Sequence, residues 1–155
     1  MPKTFLKQIV KSSSKINYKT VYHQKDRMLE AAYSNFRKSC KQVADENFCF
    51  DDFCFKNKMW LNDYALYSAL RKKTSSPWYK WPSSLRKREP QAIAIKESKL
   101  KEEIEQIKFE QYIFFSQLFS LKKFCKTKNV CLIGDMPFYV TYDSADVWVH
   151  QNFLA

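Results

Sequence analysis

The sequence predicts a mainly α-helical chain that carries at least one buried β-strand, and three observations predict it. Apolar residues recur at three- and four-residue spacing over most of the chain, the period of helices with one buried face. One glycine occurs in 155 residues, where ordinary usage of about 7% would supply roughly eleven. A chain so poor in glycine lacks the caps and tight loops that a complete α/β fold spends glycine on. Last, the apolar run Val130-Cys131-Leu132-Ile133 is bounded by Asn129 and Gly134, short enough for a buried strand, and Asp135 follows it. A carboxylate at the end of a buried strand is a common way for an α/β enzyme to present chemistry to a ligand.

Residues 1–20 are rich in Lys and Ser and read as a mobile lead-in. From His23 to Asp45, Met28, Leu29, Ala32, Phe36, Cys40 and Val43 fall at helical spacing. A short helix is expected over 48–57, where Phe48, Phe50, Phe53 and Phe55 suit a core better than a ligand platform. A break near Lys58–Leu61 comes next, then a helix capped by Asn62 with Leu66 and Leu70 on one face. Thr74-Ser75-Ser76-Pro77 closes it, and Pro77-Trp78-Tyr79-Lys80-Trp81-Pro82 forms a compact aromatic loop. Pro90 suits the first turn of one long helix. Its stripe is Leu100, Ile104, Ile107, Phe114, Leu118, Leu121 and Cys125, with burial on several sides expected between Tyr112 and Phe119. Lys122, Lys123, Lys126 and Lys128 complement the helix C-terminus, and Asn129 can close it in the left-handed conformation.

Composition narrows the function classes. A net charge of +11 invites a nucleic-acid or anionic-membrane reading, but the densest basic groups, Arg71-Lys72-Lys73 and Arg86-Lys87-Arg88, are only three residues long. Dispersed lysines fit a solvated helical surface better than a polyanion site. The alternative to an enzyme is a non-enzymatic basic helical module that binds nucleic acid or a partner protein. Five cysteines at 40, 49, 54, 125 and 131 form no Cys-x-x-Cys pair, so neither a zinc site nor a disulfide framework is expected, and no cofactor is predicted. No apolar run approaches the ~18 residues of a membrane span and no signal peptide is recognised, which gives a cytoplasmic expectation.

Four blocks, in order and at fitting spacing, resemble the 4-α-glucanotransferases, or amylomaltases. They are Trp60-Leu61-Asn62-Asp63-Tyr64-Ala65-Leu66; Trp78-Tyr79-Lys80-Trp81-Pro82 with Leu85-Arg86-Lys87-Arg88; Phe109 to Gln117; and Ile133-Gly134-Asp135-Met136-Pro137 through Asp143-Ser144-Ala145-Asp146-Val147-Trp148. The resemblance covers roughly 48–150, and 20–47 more loosely. It implies part of a (β/α)₈ TIM barrel with a helical insertion, divided as a lead-in over 1–20, the insertion over 21–128, and a barrel strand with its following loop over 129–155, cut short. It also implies transfer of α-1,4-glucan segments between maltooligosaccharides with retention, through a carboxylate nucleophile about 5 Å from a protonated acid.

By resemblance, Asp135 and Trp148 are substrate-binding, and Asp143, Ser144 and Asp146 shape the loop. Asp135 would hydrogen-bond the donor sugar without attacking it, or cap the following turn. Ser144 could cap a short helix with Asp146 in its first turn, and Trp148 offers either a sugar-stacking face or a core ring. No residue of this chain matches the family's nucleophilic Asp or acid/base Glu. The chain alone is therefore expected to be inactive, with a complementing chain as a candidate partner. Asn62 stands where the family has an acid, glycine is absent before Pro77, and Asn129 replaces a glycine.

Overall fold

The computed structural model describes residues 15–38 and 49–153, and the chain divides into two compact units, 1–41 and 42–155. In the first unit, helix α1 (Tyr18–Lys38) starts where the Asn17 side chain accepts from the Thr20 backbone N–H at 3.2 Å. It ends on Arg37 and Lys38, which complement the negative end of the helix. Its more buried face carries Leu29, Tyr33 and Phe36: Leu29 and Phe36 belong to the expected stripe, whereas Met28 and Ala32 of that stripe are exposed and Tyr33 joins the face. Residues 1–14 of the expected lead-in, and Cys40 and Val43 of the expected helix, lie outside the described residues, whereas Tyr18 to Thr20 already belong to α1.

The second unit contains α2 (Phe50–Lys56), α3 (Lys58–Thr74), a 3₁₀ turn at Trp78–Lys80, α4 (Ser83–Arg86), α5 (Pro90–Lys99), α6 (Lys101–Thr127), α7 (Ala145–Val149) and a closing 3₁₀ turn at Gln151–Phe153. Helix α3 is its axis and packs against α6 and α7. It buries Leu61, Ala65, Leu66, Ala69 and Leu70, an i, i+4, i+5, i+8, i+9 pattern that gives one continuous apolar face. Leu66, Tyr67 and Leu70 join Trp78, Trp81, Leu85, Leu100, Val147 and Trp148 in one core. A second aromatic cluster forms where α2 meets α6: Tyr112 lies 5.5 Å from Phe50 and 5.8 Å from Phe53 between ring centroids, and Phe115 lies 5.5 Å from Phe53.

Helix α3 begins five residues earlier than the sequence suggested. Asn57, not Asn62, occupies the boundary: its amide donates to the Phe53 carbonyl at 2.8 Å, and its side-chain oxygen accepts from the Trp60 indole at 3.1 Å. Asn62 lies inside the helix and accepts from Lys108 Nζ at 2.6 Å. The fully buried Leu61 belongs to the core face, so packing extends the helix back through the apparent break.

Three helices end on non-glycine residues in the left-handed conformation: Ser75 (φ 53°), Arg88 (φ 56°) and Asn129 (φ 54°). At Asn129 the closure is complete, with the Val130 N–H on the Cys125 carbonyl at 2.9 Å and the Asn129 N–H on the Lys126 carbonyl at 3.2 Å. Asparagine tolerates this geometry better than serine does. Ser75→Gly is accordingly expected to stabilise the fold by about 0.5–1 kcal/mol, read as a higher urea midpoint at unchanged slope; an unchanged or lower midpoint would count against strain at Ser75.

The single long helix expected from Pro90 is broken. Pro90 does start α5, but Leu100 turns to φ −111°, ψ 21° and places its side chain in the core, and α6 restarts at Lys101. The buried line then passes through Phe109 and Tyr112, while Phe114, Phe119, Leu121 and Phe124 are exposed. The expectation of burial on several sides between Tyr112 and Phe119 therefore fails. α2 and α3 cover one face of α6 and set which residues are buried.

The expected buried β-strand at Val130–Ile133 is overturned as well. No strand occurs among the described residues, and Ile133 is 96% exposed. A strand is defined by hydrogen bonds to a neighbouring strand. Here the Val130 N–H instead closes α6, and residues 131–137 run on without regular structure. The fold class predicted from the sequence, a helical chain with a buried barrel strand, is corrected to helices and connecting turns throughout the described residues.

Candidate functional site in the loop after Gly134

The segment from Gly134 to Trp148 has a projecting half and an anchored half. Asp135 lies in the projecting half, between Ile133 and the exposed Met136, Phe138 and Tyr139. Asp135 is itself exposed and makes no hydrogen bond or ion pair to the described residues. Gly134 has a negative φ with nothing within 4 Å of where a Cβ would stand, so neither backbone conformation nor crowding requires glycine there.

Asp143 ties the anchored half to the helices. Its Oδ1 accepts from the Tyr67 hydroxyl at 2.8 Å and the Trp78 backbone N–H at 3.2 Å, and its Oδ2 meets Arg71 Nη2 at 2.8 Å. The Trp78 indole donates to the Tyr142 carbonyl at 2.8 Å. Tyr67 and Arg71 can act together because they are four residues apart on one face of α3. Ser144 then caps α7: its hydroxyl accepts from the Val147 N–H at 3.3 Å, and Asp146 stands exposed in the first turn.

Trp148 is fully buried. Its indole donates to the Leu85 carbonyl at 3.0 Å, Trp81 and Tyr67 lie 5.4 and 5.9 Å from it between centroids, and the Arg88 guanidinium sits 4.4 Å over the ring. Arg88 is held from its other side by Asp63. Within this chain the Trp148 ring therefore packs on all sides and shows no face to solvent. The structure brings Asp143, Ser144 and Trp148 together against α3 and α4 and leaves Asp135 apart from them.

Sequence reading missed Tyr67, Arg71 and the Trp78 backbone as the partners of Asp143. The available signal was a tyrosine and an arginine one turn apart on a helix that otherwise buries only aliphatic residues. Burial, then the Asp143 carboxylate, push the Tyr67 phenol well above its ordinary value of 10.0, against a smaller opposing pull from Arg71. The unfolded chain ionises this phenol near pH 10.0 while the folded chain keeps it protonated to higher pH. The stability so gained is whole below that pH and is lost as pH rises above it. Tyr67→Phe is expected to flatten the alkaline fall in stability measured by urea unfolding above pH 10.0; an identical fall in the variant would contradict the assignment.

Among the described residues no helix is long and apolar enough to cross a membrane. Comparison with known proteins gives a consistent picture. A sequence profile described as 4-alpha-glucanotransferase, glycoside hydrolase family 77, matches residues 3–155. The 4-alpha-glucanotransferase of Aquifex aeolicus is 35% identical over 137 residues, covering 88% of this chain and 27% of that protein. That of Thermus thermophilus is 37% identical over 141 residues, 90% of this chain and 28% of that protein. Among solved structures, the amylomaltase from Streptococcus agalactiae in complex with acarbose superposes with a TM-score of 0.81 at 29% identity, covering 94% of this chain and 29% of that one. The chain thus spans less than a third of the length of the relatives it matches. It belongs to the 4-alpha-glucanotransferase family, glycoside hydrolase family 77.

Proposed function

We propose that this chain supplies one part of a cytoplasmic 4-alpha-glucanotransferase that moves α-1,4-glucan segments between maltooligosaccharides with retention of configuration. The observation that carries the reading is the family match across residues 3–155, which takes in Asp135 and the Asp143–Trp148 loop together. In this reading Asp135 hydrogen-bonds the donor sugar. Its free carboxylate, without a protein partner among the described residues, suits a group that waits for ligand hydroxyls. Asp143, Ser144 and Asp146 shape the loop that follows it. The nucleophile and the acid/base of a retaining pair come from another segment, because no residue here matches either. A complementing chain that carries that segment is a candidate partner in this reading.

The test is direct. Purified chain incubated with maltotriose is expected to release no glucose and to build no longer oligosaccharides over hours. Chromatographic appearance of both products would show that the chain carries its own catalytic pair.

A further inference from the structure

We propose that Tyr79 and Tyr142 form an aromatic platform that binds two consecutive pyranose rings of an α-1,4-glucan, at a site separate from Asp135. The two rings come from segments 63 positions apart and meet at 5.4 Å between centroids with planes inclined at 38°. Both are open to solvent, Tyr79 at 39% and Tyr142 at 59% exposure. Trp78, 4% exposed, backs the pair, lying 6.0 Å from Tyr79 and 5.3 Å from Tyr142. Trp78 is itself fixed at both ends, its indole on the Tyr142 carbonyl and its backbone N–H on Asp143. The platform is therefore held in place before any ligand arrives, which lowers the ordering cost of binding.

The chemistry at its edge also fits a sugar. One face of a glucopyranose presents C–H groups, which are electron-poor and are attracted to the negative face of an aromatic ring. The rim of the same sugar presents hydroxyls that need charged or polar partners. Arg71, one third exposed, stands beside Tyr142 through its pair with Asp143. A guanidinium carries five N–H donors, and the Asp143 contact engages only the Nη2 end. The preference for an α-1,4-linked chain over a β-1,4-linked one follows from the glucan reading above.

This inference rests on the glucan reading above and is tested separately from it. Affinity electrophoresis of the full chain, with maltoheptaose or cellohexaose in the gel, reads retardation directly. Wild-type chain is expected to be retarded by maltoheptaose and not by cellohexaose. The double variant Tyr79→Ala/Tyr142→Ala is expected to bind on the order of tenfold more weakly or worse, the loss of about 1.4 kcal/mol of stacking. Tyr79→Phe/Tyr142→Phe, which keeps both rings, is expected to bind within about twofold of wild type. Near-ultraviolet circular dichroism checks that the alanine variant keeps its tryptophan packing. Equal retardation of the alanine variant and wild type would overturn the platform and leave the glucan reading intact. No retardation of wild-type chain would also overturn the platform, and the glucan reading would then be decided by transfer assays alone.

Discussion

Trp148→Ala is expected to destabilise the second unit by about 4 kcal/mol, within the ~3–5 kcal/mol span of a fully buried Trp→Ala change. The indole sits at 0% exposure where α3, α4 and the Trp78–Pro82 loop converge, so the cavity cannot collapse without moving several elements. Truncation leaves the Leu85 carbonyl without its donor and removes the ring over which Arg88 lies. Trp148→Phe, which keeps an aromatic ring but loses the N–H, is expected to cost less, about 2 kcal/mol. Urea unfolding followed by tryptophan emission reads both. A loss below about 1 kcal/mol for the alanine variant would mean that the ring is not the keystone of this core.

Asp143→Ala is the second large effect, expected at about 3 kcal/mol. Three donors converge on this carboxylate: the Tyr67 hydroxyl, the Trp78 N–H and the Arg71 guanidinium. Removing the acceptor leaves Tyr67 and the Trp78 N–H without a partner in a half-buried setting, at about 1–3 kcal/mol for each unsatisfied group. The Arg71 part is smaller, because its side chain is 34% exposed and regains water. Asp143→Asn keeps one acceptor oxygen and is expected to lose only about half as much. The double variant Asp143→Ala/Tyr67→Phe is expected to cost less than the sum of the singles, since each removes the same bond. Strict additivity would show that the two side chains are not coupled.

Particular elements show what the sequence could and could not reveal. The Asn129 closure was legible because its chemistry is local: four lysines, then asparagine in the left-handed conformation. Pro90 at the first turn of α5 was legible for the same reason. The start of α3 was not, because Asn57 and Asn62 are both good boundary residues and only the burial of Leu61 chooses between them. The break at Leu100 was hidden because helix periodicity runs through it undisturbed; the core, not local propensity, turns that residue. The strand at Val130–Ile133 failed for a different reason. An apolar run is a strand only if another strand hydrogen-bonds to it, and residue pattern carries no information about whether one is present.

The site divides along the same line. Ser144 as a helix cap could be read from spacing, and the geometry of α7 agrees. Asp135 stood out as an acid beside the only glycine, and the structure leaves it exposed. The anchoring of Asp143 depends on Tyr67 and Arg71, more than seventy residues earlier, and no local pattern links them.

Maltotriose disproportionation by two separately purified chains tests the proposed transferase role of this chain. One is this chain, and the other is the portion of the Aquifex aeolicus enzyme outside the region it matches. Glucose and longer maltooligosaccharides are expected from the mixture and from neither chain alone. With Asp135→Asn the mixture is expected to be slower by roughly 10- to 100-fold, the loss of a hydrogen bond to a charged group. Full activity with Asp135→Asn would remove that residue from the donor site. A mixture that forms a stable complex yet makes no product, or a lone chain that makes product, would contradict the account.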